Sequence, residues 1–261
     1  MRRVGAQIKA FRFTRNVVDR IIGVVGELLM TAGVFVLLFL GWHVWYNDVV
    51  AGLAQDSAGS ELSNEWTVSE ISTVEFDRAV GSSDGVFTAA KPPVVEVGKP
   101  ASRFASLLVP RFGPTFNRAI AVGVDRETVL NIRNAGIGYY PQTQRLGQVG
   151  NFAVAAHRIT FGAPFADIEK LRLGDRIYVE TPDGWYVYRF RNLEYVWPNN
   201  TRVLQPVPES NAKAKDRILT MTSCHPVLTS VERIIAYSTY ESFIPRENGA
   251  PAEVAAIEDG R

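Results

Sequence analysis

Cysteine is nearly absent from this chain, since Cys224 is the only one in 261 residues. It has no partner for a disulfide within the chain, which excludes a disulfide framework. A lone cysteine is either a small buried hydrophobe or a reactive thiol, and the residue alone leaves both interpretations open. Cys224 ends the apolar, β-prone run Leu219–Ser223 and stands immediately before His-Pro.

An excess of positive charge is lacking outside the N-terminus. Residues 1–20 carry six basic side chains against Asp19 alone, a balance of +5, so a net charge of +1 leaves the remaining chain at −4. No extended basic face is left over, which argues against nucleic acid as the main partner. Carboxylates and histidines also do not cluster at metal-ligand spacing, so we expect no required metal and no cofactor.

Formal charge is absent from Leu28 to Tyr46, a run of 19 residues, if His43 is neutral. Such a run crosses the roughly 30 Å hydrocarbon layer as a helix, and Trp42 and Trp45 fit an aromatic belt. We predict a transmembrane anchor at residues 21–46, with His43 interfacial rather than catalytic. A buried soluble helix and a cleaved signal peptide are the alternatives, but the run is apolar all round and no clear small-x-small site follows it.

The positive-inside rule places the basic segment 1–20 in the cytoplasm and the chain after about residue 47 outside the plasma membrane. Exported proteins usually pair their cysteines as disulfides, and an unpaired thiol outside the membrane is exposed to oxidation. The predicted single-pass topology therefore favours a reactive Cys224 over an inert one.

The exported part divides by composition. Residues 47–102 are acidic and rich in Ser, Gly and Ala, which predicts a flexible extracellular linker, although scattered apolar residues in 62–80 leave docking open. Residues 103–245 show about seven β-prone runs with turn residues and short helices, which predicts a mainly β barrel or sandwich. Asp125 is the predicted N-cap of a short helix that runs through about Asn134, with Gly136 as its C-terminal stop. Residues 246–261 are polar without periodicity and predict a frayed tail.

Two histidines and one arginine are candidate partners for Cys224. Consecutive strand side chains point to opposite faces, so His225 is expected to face away from the thiol. His157 ends an apolar strand before a Gly/Pro-containing loop, a position typical of catalytic residues. Arg233 starts the next strand, nine residues after Cys224, where it is able to donate to an oxyanion. An ordinary surface arginine fits the same pattern.

The order His157, Cys224, Arg233 resembles the sortases, membrane-anchored cysteine transpeptidases of Gram-positive bacteria. The run 220–224, Thr-Met-Thr-Ser-Cys, is similar to their Thr-Leu-x-Thr-Cys signature, with Met for Leu and Ser for Thr. The segments GIGYYP at 136–141 and GNFAVAAHR at 150–158, with the Cys-His-Pro ending, resemble class E sortases. The similarity covers roughly residues 103 to 243.

The resemblance implies a closed eight-stranded β-barrel and a mechanism. Cys224 would attack the Thr carbonyl of a Leu-Ala-x-Thr-Gly or Leu-Pro-x-Thr-Gly sorting motif near the C-terminus of a secreted protein. Arg233 would stabilise the oxyanion, and His157 would protonate the leaving amine. An amine of a peptidoglycan precursor would then resolve the thioester.

The same resemblance makes Tyr139, Tyr140 and Ser223 candidates for substrate binding. Aromatic core packing is the alternative for both tyrosines, and class E relatives often have His where Tyr139 stands. Ser223 is alternatively a small strand residue. Two other functions stay open: an exported cysteine peptidase or other cell-wall peptide hydrolase, in which Gly is expected before the cysteine, and a membrane-tethered binding domain with an inert Cys224.

Overall fold

The computed structural model describes the backbone of residues 2–42, 46–77 and 91–259, and the side chains of 19–42, 46–67 and 91–257. His43 and Trp45 of the predicted anchor, and residues 78–90 of the predicted linker, lie outside the described residues. The chain forms two compact units, Met1–Asn47 and Asp48–Arg261.

The first unit is built on one long helix, α1 (Arg2–Gly41). Its segment Asp19–Gly41 is long and apolar enough to cross a membrane. The large apolar side chains there are exposed all round, as Met30 at 72% and Leu37 at 70% illustrate. A helix that is hydrophobic on every side needs an apolar environment to cover it, and this makes α1 a candidate membrane span.

The second unit is a closed barrel of eight strands, in the order β1-β2-β3-β4-β7-β8-β6-β5. Closure confirms the predicted barrel and excludes a sandwich. The strands are β1 (Arg103–Leu108), β2 (Asn117–Val122), β3 (Ile137–Tyr139), β4 (Gly150–Ala156), β5 (Arg176–Thr181), β6 (Gly184–Val196), β7 (Arg217–His225) and β8 (Glu232–Pro245).

Side-chain alternation along the strands builds the barrel interior. On β4, Phe152 and Val154 belong to the main apolar core, and on β7 Leu219 and Met221 do the same. The residues between them therefore face outward, because successive strand side chains point to opposite faces. Cys224 lies three residues beyond Met221, which places it on the outer face.

Short helical turns connect the strands. They comprise Pro110–Phe112, Arg126–Leu130, Ile168–Lys170, Thr201–Leu204 and Arg246–Asn248. Arg126–Leu130 is a single π-helical turn, and Asp125 caps it as predicted by accepting a hydrogen bond from the Thr128 N–H at 2.9 Å. The turn ends earlier than Asn134, where the sequence predicted the helix to stop.

The structure corrects the linker prediction for residues 47–77, which form the helix α2 (Asn47–Asp77). Ala51, Ala58 and Leu62 are buried, so within the second unit the helix packs on the barrel rather than remaining solvated. Small residues allow the close approach: a Cβ on Gly59 would lie 2.3 Å from the Asn117 carbonyl oxygen. Backbone-to-backbone packing of this kind leaves little apolar periodicity in the sequence.

The structure also corrects the tail prediction. After the turn Arg246–Asn248, the helix α3 (Ala252–Asp259) buries Val254 and Ile257 against a cluster that includes Trp185. The guanidinium of Arg246 pairs with the buried carboxylate of Glu180 at 2.8 Å. Residues 246–257 are thus a packed part of the barrel domain, and residues 260–261 of the predicted tail lie outside the described residues.

Candidate active site

Three adjacent strands carry the residues that the sequence predicts to be catalytic. β4 and β7 are parallel with Ala155 opposite Thr222, so continuing the register by two residues sets His157 beside Cys224. β7 and β8 are antiparallel with Cys224 opposite Arg233. Opposed residues on neighbouring strands point to the same face, so the three side chains share the outer face at one end of the barrel.

A pocket of about 390 Å³ lies beside Cys224. Its walls include His157, Asn131, Phe161 and Arg126. Cys224 itself is a partly exposed free cysteine that lines this pocket. Among the described residues, no three or more His, Cys, Asp or Glu side chains gather as a metal site.

The imidazole of His157 is held by two neighbours. Its Nε2 lies 2.8 Å from Asn131 Oδ1, and its ring centroid lies 5.1 Å from that of Phe161. An amide oxygen only accepts, so this contact places the Nε2 proton toward Asn131 and leaves Nδ1 with the lone pair of the neutral ring.

Burial lowers the pKa of His157, with the positive charge of Arg126 acting in the same direction and the carboxylate of Asp48 opposing it. Removing water disfavours the charged imidazolium, and a nearby cation disfavours it further. The neutral imidazole is therefore the main form of His157 at neutral pH.

Arg233 is anchored to the loop that joins β7 to β8. Its Nη1 donates to the backbone oxygens of Ser230 and Glu232, both at 2.9 Å. These bonds fix one branch of the guanidinium. A guanidinium has five N–H donors in a planar fork, so Nε and Nη2 are further donors on the same rigid group.

His225 contacts other residues than Cys224, as strand alternation predicts. Its Nδ1 lies 3.3 Å from a carboxylate oxygen of Glu169, and its ring centroid lies 4.5 Å from that of Tyr195. It does not line the pocket beside Cys224.

The two tyrosines of β3 and its continuation have different positions. Tyr139 is 1% exposed, stacks on Phe152 and donates its hydroxyl to the Thr143 carbonyl at 2.9 Å. The structure thus places Tyr139 in the core and not at the surface beside Cys224. Tyr140 is half-buried, with its hydroxyl 3.2 Å from Thr222 Oγ1. Thr222 precedes Cys224 by two residues on the same strand face, so Tyr140 lies along that face.

Ser223 ties the cysteine strand to the histidine strand. Its buried hydroxyl donates to the Ala156 carbonyl at 2.8 Å. The bond joins β7 to β4 one residue before Cys224 and His157. This geometry agrees with a role in holding the cysteine strand, and burial on the inner face removes Ser223 from the surface available to a substrate.

Sequence reasoning missed Asn131 and Phe161. Asn131 caps the C-terminal end of the π-helical turn and Phe161 lies in the loop after β4. Neither residue type is a usual acid or base, and their proximity to His157 depends on how the two loops meet. The sequence signal for Asn131 was its place as a polar residue near the end of the short helix predicted to begin after Asp125.

The sequence profile of the Sortase domain matches residues 107–241, about half of the chain. The chain belongs to the sortase family. It is 32% identical over 234 residues to Sortase SrtE1 of Streptomyces coelicolor, covering 87% of this chain and 59% of that protein. This sortase is also 32% identical over 226 residues to Sortase SrtE2 of the same species, covering 83% of this chain and 80% of that protein.

A solved sortase E from Streptomyces avermitilis has the same fold, with a TM-score of 0.54 at 36% identity over 60% of this chain and 99% of that one. These relatives confirm the resemblance to class E. The chain spans less than two thirds of the length of SrtE1.

Proposed function

We propose that this sortase is a membrane-anchored cysteine transpeptidase. It cleaves a Leu-Ala-x-Thr-Gly or Leu-Pro-x-Thr-Gly sorting motif between Thr and Gly and joins the new Thr carboxyl to an amine of a peptidoglycan precursor. The observation that carries this proposal is the alignment of His157, Cys224 and Arg233 across β4, β7 and β8, beside an open pocket.

In the first half-reaction, the Cys224 thiolate attacks the Thr carbonyl carbon and forms a tetrahedral oxyanion. The oxyanion collapses as the C–N bond to Gly breaks, and the leaving amine takes a proton from the His157 imidazolium. A thioester between Cys224 and the Thr carbonyl is the product.

In the second half-reaction, the acceptor amine attacks the thioester carbonyl and neutral His157 takes its proton. Collapse of the second tetrahedral oxyanion breaks the C–S bond and returns the thiolate. His157 therefore acts as an acid in one half and as a base in the other. Its lowered pKa makes the neutral base form of the imidazole the abundant one.

Arg233 is the donor for both oxyanions. It lies opposite Cys224 and is anchored through Nη1 to Ser230 and Glu232. A fixed guanidinium near a developing negative charge stabilises the transition state without reorganisation.

The proposed location is the plasma membrane, with residues 1–20 in the cytoplasm, the apolar residues that follow them through Gly41 in the bilayer and the barrel outside. The excess of basic residues before the span supports this orientation. The substrates are then secreted proteins that carry the motif near their C-terminus.

The test uses the full chain in detergent micelles with a Leu-Ala-x-Thr-Gly peptide and a small primary amine. We expect cleavage between Thr and Gly with transfer to the amine. Mass spectrometry of the products measures both. Cys224→Ala and His157→Ala should abolish transfer, and His225→Gln is the matched control that keeps it. Hydrolysis at another bond would favour a cysteine peptidase, and an unreactive thiol would favour a binding domain.

A further inference from the structure

The start of α2 holds the loop that follows His157. Asp48 accepts hydrogen bonds from the backbone N–H of Thr160 at 2.9 Å and of Gly162 at 3.4 Å. Thr160 and Phe161 line the pocket beside Cys224, and Phe161 packs on the His157 ring. The carboxylate of Asp48 thus fixes the backbone on both sides of Phe161.

Gln55 lies seven residues further along α2 and therefore on the same face of the helix. It is fully buried, and its Nε2 donates to the Phe161 carbonyl at 2.8 Å and to the Ile132 carbonyl at 3.3 Å. Ile132 follows Asn131, which bonds to His157. One amide group therefore joins the two loops that supply the neighbours of the imidazole.

The orientation of the Gln55 amide is set from its other side. Arg118 Nη1 donates to Gln55 Oε1 at 2.9 Å and to the Gly52 carbonyl at 2.6 Å. The Arg118 guanidinium also pairs with Asp56 at 2.9 Å. Because Arg118 has donors only, Gln55 must turn its oxygen toward it and its NH₂ toward the two loop carbonyls.

The loop after His157 needs such support, because its backbone is strained. Thr160, Phe161 and Ala163 have φ angles of 63°, 51° and 40°, which residues with a Cβ rarely adopt. Conformations of this kind persist where the surrounding structure over-determines them. The fit is close, since a Cβ on Gly162 would lie 2.6 Å from Gln55 Oε1.

We propose that α2 is a positioning element of the active site, in which Asp48 and Gln55 hold His157, Asn131 and Phe161 in the reactive arrangement. The inference rests on the proposed function for its effect on turnover. α2 precedes the Sortase domain match, which begins at residue 107, so the catalytic unit is larger than the matched domain.

Gln55→Glu is the sharpest variant for this proposal. It keeps the shape of the side chain and the acceptor for Arg118, so α2 stays docked, but it replaces the donor to Phe161 and Ile132 with a carboxylate. In the full chain we expect kcat for peptide transfer to fall about 10- to 100-fold, with KM little changed, because misplacing a catalytic group costs mainly the chemical step. The matched control is Glu61→Gln, an exposed carboxylate on the same helix, with kcat within about twofold of the unchanged chain.

A second readout uses no sorting peptide. The Hε1 resonance of His157, assigned by comparison with His157→Gln, is followed by NMR as pH is varied. Asp48→Asn should lower the pKa of His157, because the Asp48 charge raises it against the effects of burial and Arg126. Glu127 and Arg158, which also line the pocket, are unchanged in this variant. Glu61→Gln should leave this pKa where it was.

The two readouts separate the failure of this inference from the failure of the proposed function. A folded Gln55→Glu protein with unchanged kcat, or an unchanged His157 pKa in Asp48→Asn, overturns the positioning role. If the unchanged chain transfers no peptide while Asp48→Asn still shifts the His157 titration, the proposed function is wrong and the placement of the Asp48 carboxylate near His157 stands. If Gln55→Glu does not fold, the Asp48→Asn titration decides.

Discussion

Cys224 and Arg233 are directly paired across the antiparallel strands β7 and β8. The pairing places a guanidinium on the same face as the thiol, one strand away, and the bonds from Arg233 to Ser230 and Glu232 hold it there. The proposed nucleophile and the proposed oxyanion donor therefore sit on one hairpin rather than on separate loops.

Arg233→Lys should reduce kcat/KM for peptide transfer about 10²- to 10³-fold, the usual cost of removing an oxyanion donor. Lysine keeps the charge but presents a compact ammonium in place of the planar fork. Steady-state kinetics in micelles measure the effect. Arg202→Lys, at an exposed position outside the pocket, serves as the control, and near-normal turnover of Arg233→Lys would remove the residue from the site.

Asn131 should tune the protonation of His157. Asn131→Asp places a carboxylate beside Nε2, which raises the pKa of His157 because an adjacent negative charge favours the imidazolium. The pH dependence of Cys224 alkylation by iodoacetamide and the NMR titration of His157 both report this change. Asn131→Ala should instead lower kcat without raising the pKa, since the ring loses the acceptor that orients it. Equal titration curves in all three proteins would contradict the assigned contact.

Strand periodicity and turn residues predict the barrel domain well, because each strand satisfies its pattern locally. The alternation of side chains along a strand also correctly predicts that His225 points away from Cys224, because alternation is a local rule. The same rule does not decide between Tyr139 and Tyr140. One of two neighbours must face the core, and which one does so depends on the pairing of β3 with β2 and β4.

Residues 47–77 illustrate a different limit. An acidic segment rich in Ser, Gly and Ala has the composition of a linker, but its charges have partners that lie far away in sequence. Asp56 pairs with Arg118, and Asp48 bonds to Thr160 and Gly162. Contacts made by carboxylates and small residues leave no apolar stripe, so composition alone predicted solvation.

Stability should fall as the pH drops below about 6.5, and His157 should contribute to this fall. Its pKa is lowered in the folded state, so the unfolded chain, with an ordinary histidine pKa of about 6.5, binds more protons in this window. Unfolding is therefore favoured as the pH decreases toward the lowered pKa. Melting temperatures between pH 7.5 and 5 measure the trend. His157→Gln should show a flatter dependence, and an identical slope in the two proteins would contradict a buried neutral imidazole.

The C-terminal helix α3 should stabilise the barrel domain. Ile257→Ala removes a side chain that is 2% exposed and packs with Val254 against Trp185, and we expect a loss of about 2 kcal/mol in the free energy of unfolding. Chemical denaturation followed by tryptophan fluorescence measures it, and Ala256→Ser, at an exposed position of the same helix, is the control. Because α3 packs on β1, β5 and β6 and on Ile244, at the opposite end of β8 from Arg233, kcat should remain unchanged while the protein is folded. An unchanged free energy of unfolding in Ile257→Ala would mean that the helix is frayed in solution, as the polar composition of residues 246–261 predicts.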